Sequence, residues 1–266
     1  MDTLVSPRDA RRDPTATTAV PSPRQHPRPT RGVLARQPQP RGRFAPPVKR
    51  AESFYRRGAG LATLLSGLLV FVSILMIPFD GVGSEGYLRS NAEHPDAIRW
   101  AAVVLHYGFL LLVPSAFGIA HLARRGSRRL SNIGLLLAVL GSGLSGLMAV
   151  DYYDIALATE LPMDQAVRVY EAAGATAGAA PLLIQLPSMV GTLLGSVLLA
   201  VALSRAGFVR WPVPAALAAG WVVFLATAQH FAGAAAGTAL IALATAVMGI
   251  RVLYASDAEW ESGVVD

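Results

Sequence analysis

Cysteine is absent from this chain of 266 residues. Disulfides, thiolate nucleophiles, iron–sulfur clusters and cysteine-type zinc sites are thereby excluded. Charge is also scarce. Charged residues make up 15% of the chain against 53% hydrophobic ones, where a soluble domain carries about 25% charge. Lysine occurs once, as Lys49, while alanine, glycine, proline and arginine abound. That bias suggests a GC-rich bacterial genome, and hence a bacterial plasma membrane as the setting. Neither HExxH, a Walker A loop nor a nucleophile elbow occurs.

What charge there is lies unevenly. Residues 1–57 hold thirteen Lys and Arg against four acids, a net of +9; residues 58–266 hold ten against thirteen, a net of −3. A nucleic-acid partner is not expected, because basicity belongs to a tail and not to a folded face. The tail alternates Pro and Arg with small polar residues. It cannot bury enough apolar surface to offset its ordering entropy, so 1–57 is expected to be disordered. It is read first as a topology determinant, with contact to anionic lipid as the alternative, at about 1 kcal/mol per charge.

Six apolar runs follow, at about 58–79, 98–122, 133–150, 181–203, 211–228 and 231–253. Each is near the ~20 residues that cross a ~30 Å hydrocarbon layer. The expected fold is all-α: a polytopic six-helix transmembrane bundle over 58–254, with a short acidic C-terminal tail at 255–266. The last two runs are separated by Gln229 and His230 and are read as a hairpin. Arginine placement sets the orientation. One short loop carries Arg124, Arg125, Arg128 and Arg129 without an acid, another Arg205 and Arg210. The alternate loops carry Asp80, Glu85, Glu93 and Asp96, and Asp151, Asp154, Glu160, Asp164 and Glu171. Both ends of the chain are therefore expected in the cytoplasm. Trp100, Trp211 and Tyr254 fall at interfaces, where amphipathic rings are favoured.

In the long outer loop, Leu161, Met163, Val167, Tyr170 and Gly174 recur at helical spacing. A short amphipathic helix is expected there, opened by Pro162 and closed by Gly174, either capping a cavity or connecting two spans at the interface. Gly141, Gly143 and Gly146 match the dinucleotide pattern GxGxxG, but no strand precedes them. They are read instead as a close-packing face, as are Gly191 with Gly195 and Gly233 with Gly237. Packing within one bundle is preferred over dimerisation.

The candidate site is a set of polar residues placed in the outer half by topology: His106, Asp151, Asp154, Gln185 and His230, with Gln229 beside them. Ionisable groups at membrane depth usually face an interior or a wet cavity. His106 is expected to point inward, with Asp151 as first partner, then Gln185, then His230. A proton or ion relay, a divalent metal site, and a haem with His106 and His230 as axial ligands are the functional readings. The bland alternative leaves Asp151, Asp154 and His230 solvated among headgroups. No motif calls for a cofactor. The leading expectation is a small-solute, proton or ion transporter-like protein. An intramembrane enzyme or haem- or metal-binding protein, and an accessory or scaffold subunit, are the alternatives.

Overall fold

A computed structural model describes residues 48–77, 83–228 and 230–265 of the chain. The described residues form eleven α-helices and no strand. Most of the expected disordered tail lies outside them. Its last ten residues do not fit that expectation, because α1 runs Val48–Met76. The stretch after Val48 holds good helix formers and no further proline, so a helix nucleated by the apolar run extends back through it.

Proline and glycine set most of the remaining boundaries. After α2 (Gly83–Glu93), Pro95 opens α3 (Pro95–Leu110), and α4 (Leu112–Ala123) continues almost in line. The interruption at Leu111 follows from Pro114, which has no N–H to offer the Leu110 carbonyl and whose ring crowds it. The helix accordingly stops at Leu110 and restarts beyond. A second interruption separates α5 (Arg128–Gly141) from α6 (Leu144–Glu160) at Ser142 and Gly143. The outer loop forms α7 (Met163–Ala177). Pro162 stands just before it, and the helix passes through Gly174 to end at Gly178, whose φ of 57° suits a residue without Cβ. The remaining helices are α8 (Ala180–Arg205), α9 (Pro212–Thr227), α10 (Phe231–Leu253) and α11 (Asp257–Ser262).

Among the described residues, four helical stretches are long and apolar enough to cross a membrane: Ser53–Met76, Pro95–Ala123, Gln185–Arg205 and Phe231–Leu253. The other two expected crossings take different forms. The run at 211–228 yields α9, a shorter apolar helix of 16 residues, about 24 Å long at 1.5 Å per residue. The run at 133–150 is split between α5 and α6. The hairpin between the last two runs is present: α9 packs on α10, and the His230 N–H closes on the Thr227 carbonyl at 2.8 Å.

Helix α1 packs on α10, α3 and α4, while α5 packs on α8. Small residues make these approaches. A Cβ on Gly191 would stand 2.5 Å from the Leu137 carbonyl oxygen, and one on Gly195 would collide with the Ala138 backbone. The glycines of α8 therefore sit directly on the α5 main chain, within one bundle as expected. Leu122, Leu203, Leu217, Met248 and Val252 fill the main core. A separate small core joins α2, α6 and α7 through Leu88, Ala158 and Ala166, with Tyr87, Met163 and Tyr170 around it.

Candidate functional site

The polar candidates among the described residues go to different places. On α3, the His106 Nδ1 lies 2.9 Å from the Ser145 carbonyl oxygen. A carbonyl only accepts, so Nδ1 carries the proton in this bond. On α6, the Asp154 carboxylate accepts from the Tyr87 hydroxyl at 2.9 Å, and the Tyr87 ring leans on Tyr170 at 5.8 Å. Burial pushes the Asp154 carboxyl above its usual range, against the opposing pull of the Tyr87 hydroxyl. Gln185 and His230 are both exposed. The Asp151 side chain, and Gln229 altogether, lie outside the described residues. Among the described residues no three histidine, aspartate or glutamate side chains are grouped as metal ligands.

His106 belongs to the break between α5 and α6. There the Gly143 and Ser145 N–H groups bond three residues back, to Leu140 and Ser142, in the tighter 3₁₀ pattern. Thr192 of α8 donates its hydroxyl to the Gly141 carbonyl at the end of α5, at 3.0 Å, and His106 donates to the Ser145 carbonyl in the first turn of α6. The glycine-rich motif is thus a stitched helix break as well as a packing face. Glycines and serines alternating through 141–146 were the signal for it, since two glycines and a serine side by side weaken a helix.

A larger concavity lies at the other end of the bundle, where the start of α1, the end of α10, the α4–α5 connection and α11 meet. A groove of about 860 Å³ runs between α1 and α4. Its walls are apolar: Phe54, Leu61 and Leu65 on one side, Leu111, Pro114 and Phe117 on the other. Behind it the buried Thr63 and Ser115 hydroxyls join the two helices at 2.8 Å. His121, Arg124, Trp260 and Glu261 form its mouth. An adjoining hollow of about 550 Å³ shares Phe117, His121 and Arg124 with it, and adds Arg125, Arg128 and Asn132.

Helix α11 is fastened to this mouth. The Ser256 hydroxyl accepts from the Glu259 N–H at 3.1 Å, and the Glu259 carboxylate accepts from the Ser256 N–H at 2.7 Å, a complete capping box. Arg251 pairs with Glu259 at 2.6 Å and lies over the Phe208 ring at 5.5 Å. Arg56 pairs with Asp257. The Trp260 ring stacks on His121 at 4.5 Å, and the Trp260 carbonyl accepts from Arg124 at 3.3 Å, as the Glu261 carbonyl does at 2.5 Å. Burial raises the Glu259 carboxyl, but the Ser256 N–H and the Arg251 charge outweigh it and hold the group below the usual carboxylate range.

No protein family, curated protein or solved structure matches the chain.

Residues 255–266, expected as a short acidic tail, form a helix fastened to the bundle. The spacing Ser256-x-x-Glu259, followed by Trp260 and closed by Gly263, is a short helix written in the sequence.

Proposed function

We propose that this protein is a six-crossing plasma-membrane protein of bacterial type whose working site is the α1–α4 groove, and that the groove takes the apolar part of a membrane-resident amphiphile. Groove geometry carries this reading. A volume of about 860 Å³ falls in the range of about 300–1,000 Å³ typical of small-molecule sites. From residue 54 to residue 65 the α1 wall spans about 16 Å, close to half of a ~30 Å hydrocarbon layer. The groove is thus one leaflet deep, and apolar along that depth. Native mass spectrometry of the protein released from gentle detergent should show a retained lipid-sized adduct. Leu61→Trp with Leu65→Trp, which fills the groove, should reduce that adduct several-fold. Equal retention in the filled variant sinks the reading.

Arginine placement supports six crossings with both ends cytoplasmic. The groups at the groove mouth then face the cytoplasm, and α2 and α7 face outward. Reporter fusions at Ser127 and Gly207 should read cytoplasm, and those at Ser84 and Gly174 the outside. An outside signal at Ser127 overturns this arrangement.

A second reading, transport of a small solute, proton or ion through an outward-opening site, is favoured by one observation. Interrupted helices at membrane depth are where transporters place binding sites, and His106 attends such a break. Proteoliposomes containing the protein should then carry a pH-dependent flux that His106→Ala abolishes. A flux unaltered by that substitution removes the observation's force.

A further inference from the structure

We infer that the amphiphile is an anionic phospholipid, with its acyl chain in the α1–α4 groove and its phosphate in the adjoining arginine-lined hollow. This rests on reading the groove as an amphiphile site and adds the chemistry of the headgroup.

Three observations carry it. First, the two concavities are continuous, because Phe117, His121 and Arg124 border both. A ligand with its apolar part beside Phe117 has its polar end beside Arg124. Second, the headgroup hollow holds Arg124, Arg125 and Arg128 and no carboxylate. Glu261, at the mouth, borders the groove and not this hollow. Third, the positive charge is both placed and uncancelled. Arg124 donates to the carbonyls of His121, Trp260 and Glu261, which fix its guanidinium while leaving its formal charge intact. Arg125 and Arg128 are exposed, and among the described residues neither has an ion pair. A loop that served only to set topology would need arginines anywhere on that side. These stand around one hollow at the polar end of an apolar groove, and guanidinium groups match phosphate oxygens in geometry as well as charge.

The test uses Trp260 as reporter, since it lines the groove. The full chain is reconstituted in vesicles of brominated phosphatidylcholine, with brominated phosphatidylglycerol added in steps. Subtracting the Trp260→Phe signal isolates quenching at the groove. Phosphatidylglycerol should quench Trp260 with higher relative affinity than phosphatidylcholine, by more than the roughly fivefold contribution of a single arginine near an anionic surface. Arg125→Gln with Arg128→Gln should cut that preference to what Arg124 alone supplies and leave quenching by phosphatidylcholine unchanged. Arg124 and Arg129 remain to keep the loop basic, and the contacts of α11 are untouched.

Each other outcome is decisive. Quenching by neither lipid shows the groove holds no acyl chain, and the amphiphile reading itself fails. Equal quenching by both lipids leaves that reading standing and overturns the headgroup assignment. A preference undiminished by the double substitution also overturns it. Displacement of phosphatidylglycerol by inorganic phosphate at matched ionic strength shows an aqueous anion site instead of a lipid site.

Discussion

The two ends of this molecule use charge differently. At the α2–α6–α7 end the ion pairs are local: Arg89 with Glu85 at 2.5 Å, Arg99 with Asp96 at 3.0 Å, and Arg168 with Asp164 at 2.5 Å, each three or four residues apart on one exposed helix face. At the α1–α4–α11 end they join different helices: Arg56 of α1 with Asp257 of α11, and Arg251 of α10 with Glu259 of α11, with hydrogen bonds from Arg124 to the carbonyls of α11 beside them. Local pairs support a helix and say little about what it packs on. Pairs between helices determine which elements meet. The first end is a cap with its own small core. The second ties α11 across the mouth of a groove.

The largest effect expected lies on the α5–α8 seam that connects the two ends. Gly191→Leu or Gly195→Leu drives a side chain into the α5 backbone and should destabilise the protein by about 1–3 kcal/mol or more. A melting curve in detergent reads this directly; wild-type thermal stability in both variants breaks the account of the seam.

Next comes the latch at the groove. Glu259→Ala removes the capping box and the partner of Arg251, and should cost about 2 kcal/mol. The pH response follows from the lowered Glu259 carboxyl. Its contribution is present above the ordinary carboxylate range and is lost as pH falls through its depressed folded value. Acidification should therefore loosen α11, visible as a change in Trp260 emission that Glu259→Gln suppresses.

The cap should respond with the opposite sign and more weakly. The raised Asp154 carboxyl favours the folded form when protonated, so its contribution is fully present below the ordinary carboxylate range and lost as pH rises through its elevated folded value. Tyr87→Phe removes the one hydrogen bond to this group that the structure gives, and should cost about 1 kcal/mol. Hydrogen exchange on α2 and α7 separates this from the latch: matched pH responses at both ends would erase the contrast.

The smallest effect belongs to the exposed pair Arg168–Asp164. Arg168→Gln should change stability by no more than about 0.5 kcal/mol. A larger loss in chemical denaturation would mean that α7 depends on more than its apolar contacts with α2.

The apolar runs were legible in the sequence for a physical reason. Hydrophobic length and proline positions act locally, so Pro162 and the hairpin before Phe231 can be read without a partner helix. The number of long spans was not legible, because hydrophobicity alone does not reveal an interruption such as that at Ser142 and Gly143. Among the described contacts His106, Asp154, Gln185 and His230 do not meet one another, for a related reason, and the Asp151 side chain lies outside the described residues. Depth places His106, Gln185 and His230 at one level but says nothing about azimuth around each helix, and azimuth decides who meets whom. Asp154 illustrates this: its partner Tyr87 comes from a loop that depth alone left unassigned. The groove was invisible because it depends on where α1 and α4 diverge, a distance that neither sequence contains.

The position of α11 in the chain has a consequence for biosynthesis. This helix leaves the ribosome after every element it touches: α1 through Arg56, α4 through His121 and Arg124, and α10 through Arg251. The contacts that close the groove mouth therefore cannot form until α11 has been made, whereas α1 and α4, which supply its apolar walls, are made much earlier. A chain truncated after Tyr254 keeps both walls and lacks the indole.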